Sequence, residues 1–60
     1  MNIFLLEDWS DQAHHPRKWQ AYRVYDTVYE DGDIAYYEIL HNGSVYAIYP
    51  YECSVEGVLP

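Results

Sequence analysis

The side chains with the richest chemistry in this 60-residue chain are His14, His15, His41 and Cys53, set among ten carboxylates. Histidine and cysteine are the usual protein ligands of zinc. A zinc site needs four well-placed ligands, commonly supplied in close-spaced pairs. Adjacent histidines on one loop rarely both reach the same ion, so His14 and His15 do not read as such a pair and no metal is expected. Glu30-Asp31-Gly32-Asp33 has the acids of a calcium loop, but the twelve-residue pattern with its terminal bidentate glutamate is missing. Solvated acids at a hairpin tip explain it better. Cys53 with His41 could form a thiolate pair, but a small buried cysteine is the simpler reading. There is no nucleophile elbow, no phosphate-cradling glycine loop and no HExxH. The expectation is a protein that is not an enzyme and carries no cofactor.

Charge says more than any of these motifs. Ten carboxylates face three basic residues, for a formal net charge of −7, and Arg17, Lys18 and Arg23 all lie in one short stretch. Such a chain is repelled by nucleic acid and by anionic membranes, and attracted to basic protein surfaces. The carboxylates gather in two clusters. One is Glu7, Asp8 and Asp11; the other is Asp26, Glu30, Asp31 and Asp33. Acidity of this kind also keeps a small domain soluble, whatever else it does.

Eight tyrosines argue that the chain folds, because disordered acidic segments are poor in aromatics. Tyrosine favours strands and is enriched where proteins meet. Sixty residues make one domain, which buries only about 60% of its unfolded surface. A sizeable core together with a deep catalytic cleft is therefore not expected. Cys53 is the only cysteine, so no disulfide forms within the chain, and a lone thiol fits a reducing compartment. The apolar start Ile3-Phe4-Leu5-Leu6 is followed by Glu7 and Asp8, unlike a secretory signal. The expected location is the cytoplasm, of a bacterial cell or a phage-infected host.

Two turns must position the clusters. Asp31-Gly32 and Asn42-Gly43 each separate runs of β-forming residues. Both central residues of a type I′ turn need positive φ, which makes these dipeptides strong hairpin signals. The strands are then Trp19–Glu30, Asp33–His41 and Ser44–Tyr49, a three-stranded antiparallel meander. Two-residue loops place Leu40 opposite Val45, Ile39 opposite Tyr46 and Tyr37 opposite Ile48. In the first hairpin they place Tyr29 opposite Ile34, Val28 opposite Ala35 and Val24 opposite Ile39.

One face then carries Tyr22, Val24, Val28, Ala35, Tyr37, Ile39, Tyr46 and Ile48, and its β-branched residues mark it as the core. The other face carries Tyr25, Thr27, Tyr29, Ile34, Tyr36, Leu40, Val45, Ala47 and Tyr49, with Arg23 and Glu38 as a diagonal pair. That face is too apolar to be left wet, so the N-terminal segment or a partner should cover part of it. Asp26 falls on the core face, a conflict that a bulge near Asp26-Thr27 would resolve. Ile3–Leu6 reads as a short strand and Gln12–Lys18 as a loop around His15-Pro16. Tyr49-Pro50-Tyr51-Glu52 reads as a tight turn, and Cys53–Glu56 as a last short strand.

The runs Tyr22–Glu30, Ile34–His41 and Val45–Tyr49, the break Pro50-Tyr51-Glu52 and the strand Cys53–Glu56 follow an order that resembles the small SH3-like barrels, Tudor-like modules included. The resemblance implies a small closed barrel used as a binding module. In size and charge the chain also resembles the compact acidic inhibitors that phages direct at host nucleases, restriction systems or polymerases. Same-face strand residues lie about 6.8 Å apart, close to the spacing of phosphates along a nucleic-acid strand.

The expected function is an acidic inhibitor or regulator that occupies the basic nucleic-acid-binding surface of a target protein, without binding nucleic acid or membrane itself. The expected contacts are the two acidic clusters with Tyr25, Tyr29, Tyr36 and Tyr49. The alternative is an adaptor or homodimer that buries the tyrosine-rich face.

Overall fold

The computed structural model describes Met1 to Gly57. Five strands form one antiparallel sheet: β1 (Asn2–Leu5), β2 (Ala21–Glu30), β3 (Asp33–His41), β4 (Ser44–Ile48) and β5 (Cys53–Val55), in the order β4-β3-β2-β1-β5. The short terminal strands are therefore full members of a five-stranded sheet, beyond the expected meander. β4 and β5 are its two edges, and the sheet is not closed into the expected barrel. Among the described residues there is no α-helix, and none long and apolar enough to cross a membrane.

Both hairpin turns form as their residues dictate. Asp31 and Gly32 have φ of 53° and 85°, and Asn42 and Gly43 have 51° and 80°. This is the left-handed pair that type I′ turns require, and it matches the twist of the flanking strands. The turn after β4 is a single 3-10 turn, Pro50–Glu52. Pro50 opens it with a pre-set φ, and the Glu52 carboxylate accepts the Tyr49 N–H at 2.9 Å.

The second hairpin has the register read from its turn, with Leu40 opposite Val45, Ile39 opposite Tyr46 and Tyr37 opposite Ile48. The first departs from it in the middle. Val24 faces Ile39 and Tyr29 faces Ile34 as expected, but between them the pairs are Asp26–Glu38, Thr27–Tyr37 and Val28–Tyr36. Tyr25 on β2 and Ala35 on β3 are the extra residues, one per strand, so the two irregularities cancel. A one-residue slip sends each side chain to the opposite face. Thr27 thus joins Tyr37 on the core side, and Asp26 turns to solvent. The bulge expected near Asp26 sits one residue earlier, and the Asp26 carboxylate accepts the Thr27 N–H at 2.8 Å beside it.

The core consists of Ile3, Leu5, Tyr37, Ile39, Ile48 and Cys53, with Tyr22, Val24, Tyr46 and Val55 packed against it. Ile3, Leu5, Ile39 and Ile48 are essentially without solvent contact. Each such side chain contributes about 1.5–3 kcal/mol through its burial. Val28 and Ala35, expected in this core, are only half-buried outside it, because the double bulge re-aims them. Ile3 and Leu5 of the N-terminal strand pack into the core rather than onto the tyrosine-rich face, which stays open: Leu40 is 56% exposed and Val45 52%.

The long segment from Leu6 to Gln20 is held at both ends. The Leu6 N–H donates to Glu52 O at 3.0 Å, and the Trp19 N–H to Leu5 O at 2.9 Å. Trp19 itself is left-handed, with φ of 65°, so β2 begins at Ala21 rather than at Trp19. Asn42 Nδ2 donates to His14 O at 3.0 Å and pins the middle of the loop to the β3–β4 turn.

Candidate protein-binding surface

The first hairpin presents the acids. Asp26 lies directly across from Glu38, and Glu30 directly across from Asp33, with Asp31 at the tip between them. Asp26, Glu30, Asp31 and Asp33 are exposed and Glu38 is half-buried. Alternation puts Asp26 and Glu30 on the same side of β2, about 14 Å apart. Like charges directly opposite on neighbouring strands are destabilising. The hairpin therefore holds two repulsive pairs. The expected diagonal Arg23–Glu38 pair is not among the ion pairs of the described residues; the Tyr25 bulge sets Asp26 opposite Glu38, where a regular ladder would set Tyr25. Among the described residues the one ion pair is Arg17 with Asp8, at 3.5 Å.

The N-terminal cluster is arranged differently. Asp8 Oδ1 accepts the Lys18 N–H at 2.8 Å as well as facing Arg17, so it fastens the loop. Glu7 and Asp11 are exposed. Glu7 stands at the rim of a shallow hollow between the loop and the 3-10 turn, floored by Leu5 and Ile48 and flanked by Trp9 and Tyr51. The loop is anchored at the β3–β4 turn, whereas the other acids surround the β2–β3 turn at the opposite end of β3. The two clusters are separate surfaces.

The candidate tyrosines divide in the same way. Tyr25 (68% exposed) is the bulged residue and borders a second hollow with Arg23 and Leu40. Tyr29 is equally open, near the acidic tip. Tyr36 packs edge-on against Tyr49, with ring centres 5.9 Å apart, and Tyr49 stacks on Tyr51 at 5.7 Å. These three form one aromatic ladder. Glu38, Tyr51 and Trp9 are surface residues that the sequence reading left out. Only the bulge exposes the significance of Glu38; Tyr51 and Trp9 are signalled by no more than their aromatic type.

The groups considered for catalysis or metal binding have structural work. His15 bonds Ser10 and packs with Trp9 and Tyr46, and His41 packs on Tyr22. Cys53 is buried beside Tyr49 O and Pro50 O, and burial, then the nearby Glu52 carboxylate, pushes its thiol pKa up. A thiol held protonated is a poor nucleophile. Among the described residues no group of three or more histidine, cysteine, aspartate or glutamate side chains is placed to hold a metal ion. No known protein family, curated protein or solved structure matches the chain.

Proposed function

We propose that this chain is an acidic protein-binding module, an inhibitor or regulator that occupies the basic surface of a nucleic-acid-handling protein such as a nuclease, a restriction or defence factor or a transcription factor. The observation that carries the reading is the ribbon on the first hairpin, where Asp26–Glu38 and Glu30–Asp33 face each other across the strands. A fold that keeps two repulsive carboxylate pairs is less stable than it could be. A cationic groove relieves that repulsion on binding, so part of the cost returns as affinity. Tyr25 beside the ribbon and Tyr29 near its tip add aromatic faces for arginine and lysine, Tyr29 from the opposite side of β2. We read the open sheet with its 3-10 turn before the last strand as an unclosed relative of the SH3-like arrangement, and the protein as a phage-type cytoplasmic inhibitor.

The test is capture of a partner from bacterial lysate, followed by titration of that complex. Binding should fall steeply with salt, because exposed charges are screened within about 10 Å at 0.1 M. Duplex DNA or RNA should compete for the same partner. The combined variant D26N/E30Q/D31N/D33N should lose most of the affinity while remaining folded. Binding that ignores salt, nucleic acid and this variant would sink the proposal.

A second reading rests on the open aromatic ladder Tyr36–Tyr49–Tyr51 and on exposed Tyr25. In it the chain is an adaptor or assembly module that buries the tyrosine-rich face. Interfaces are enriched in tyrosine and bury about 800 Å² per partner. Tyr36→Ala and Tyr49→Ala should then weaken assembly, whereas the acid-ribbon variant should assemble as the unaltered chain does.

A further inference from the structure

Among the described residues β4 ends the sheet on one side, with β3 as its only neighbour. In a two-residue hairpin the pair closing the turn, here His41 and Ser44, exchanges hydrogen bonds. Alternation then points the N–H and C=O groups of Ser44, Tyr46 and Ile48 inward to β3, and those of Val45 and Ala47 outward. No other backbone hydrogen bond among the described residues involves Ser44–Ile48. Exposed edges are normally blunted by charge, proline or a bulge. Ser-Val-Tyr-Ala-Ile has no charge and no proline, and its ladder with β3 has no bulge. The opposite edge, β5, is only three residues long and is followed at once by Glu56 and Gly57.

We infer that β4 pairs antiparallel with β4 of a second copy, about a two-fold axis through Tyr46, to give one continuous sheet across both chains. This register sets Val45 against Ala47 of the copy, and each such pair exchanges both of its N–H···O bonds. A two-fold contact must be self-complementary, and this one is. Every outward donor meets an outward acceptor, and the exposed Val45 side chain lies beside a methyl group. Charge at the seam admits the same occupant. A basic partner has nothing to pair with on an uncharged strand, whereas the acids of this chain lie on other elements. The Glu52 carboxylate accepts the Tyr49 N–H just past β4 and is the acid at the edge. With the axis at Tyr46, the two Tyr49 positions lie six residues apart along the paired strands, about 20 Å. Glu38, opposite Ala47, is the next acid inward. Across the dimer the two Glu38 residues are separated by three strand spacings, about 14 Å, which exceeds the screening length of about 10 Å at 0.1 M salt. The dimer carries two acid ribbons in fixed relation, but its formation does not depend on what those ribbons bind.

Sedimentation equilibrium from micromolar to millimolar protein, at low and high salt, tests the assembly. Amide hydrogen exchange at the same concentrations locates it. A monomer–dimer equilibrium that salt leaves intact or strengthens is expected. Exchange at the Val45 and Ala47 amides should slow as protein concentration rises. Ala47→Pro removes an outward donor, which an edge strand tolerates, and should lower the association constant at least about tenfold, the loss of about one net hydrogen bond per chain. A chain that stays monomeric to millimolar concentration would overturn the inference. So would a dimer in which the Val45 and Ala47 amides exchange as fast as in dilute protein, or one that salt disperses. The exchange measurement uses the unaltered chain and decides the matter even if Ala47→Pro fails to fold. Since partner capture by the acid ribbon is expected to weaken with salt, failure of one proposal is distinguishable from failure of the other.

Discussion

The two hairpins share β3 and use the same kind of turn, yet they are built to opposite ends. The β3–β4 hairpin is regular, uncharged along β4, and faces core with Tyr37, Ile39 and Ile48. The β2–β3 hairpin carries two compensating bulges and two carboxylate pairs, and its tip extends past the partners of β4. One hairpin is optimised for folding and the other is held in a conflict that folding alone does not need. Where a small domain tolerates such repulsion, the burial of a few side chains elsewhere must outweigh it. Here Ile3, Leu5, Ile39 and Ile48 supply that burial.

The contrast can be broken most severely at the residue both hairpins share. Ile39 is fully buried on β3. Ile39→Ala should cost about 2–5 kcal/mol, enough to unfold much of a domain this small, and both hairpins should melt together in urea followed by circular dichroism. Separate transitions would show that the hairpins are independent units.

The turns separate the hairpins next. A Cβ at Gly32 or Gly43 meets nothing within 4 Å, so only the positive φ opposes substitution. Gly43→Ala should cost about 1–2 kcal/mol, because its hairpin closes directly onto the core. Gly32→Ala should cost less, since its turn closes onto the exposed Glu30–Asp33 pair rather than onto the core. Equal losses in thermal unfolding would mean that the tip is as firmly held as the core hairpin.

The acid ribbon gives a smaller effect of opposite sign. Glu38→Gln removes the charge facing Asp26 and should stabilise the fold by about 0.2–1 kcal/mol. The gain should shrink as salt is added. No gain at low salt would show that the pair is not repulsive in the folded chain.

The smallest effect lies in Cys53, which packs at the core's rim beside the end of the regular hairpin. Its thiol pKa is raised in the fold by burial and then by Glu52. The folded state therefore holds the proton more tightly than the unfolded one. The corresponding stability is complete below the ordinary thiol pKa and is lost as pH rises through the raised value. Stability measured by denaturant should dip on the alkaline side in the native chain and less so in Cys53→Ala. Alkylation of Cys53 should be slow until the chain unfolds.

Much of this architecture is readable along the chain. Asp31-Gly32 and Asn42-Gly43 specify left-handed turns through their own backbone preferences, and Pro50 sets the break before β5 in the same local way. Asp33–His41 is delimited to the residue by the turns on either side. Among the candidate contacts, the exposure of Asp26, Glu30, Asp31, Asp33, Tyr25 and Tyr29 follows the reading, but Glu38 does not emerge from it. Its neighbour depends on a bulge at Tyr25, and a simple two-residue period gives a different partner.

Where the chain turns, which runs extend and the register of the second hairpin are legible along the chain, because these depend on residues a few positions apart. The double bulge, the insertion of β1 between β2 and β5, and the open edge at β4 arise only in the folded sheet. Those depend on how a twisted sheet meets Ile3 and Leu5 across the core, a contact between residues far apart in the chain. The acidic ribbon belongs to both: the carboxylates are written in the sequence, but the strand slip that sets them face to face exists only in the folded sheet.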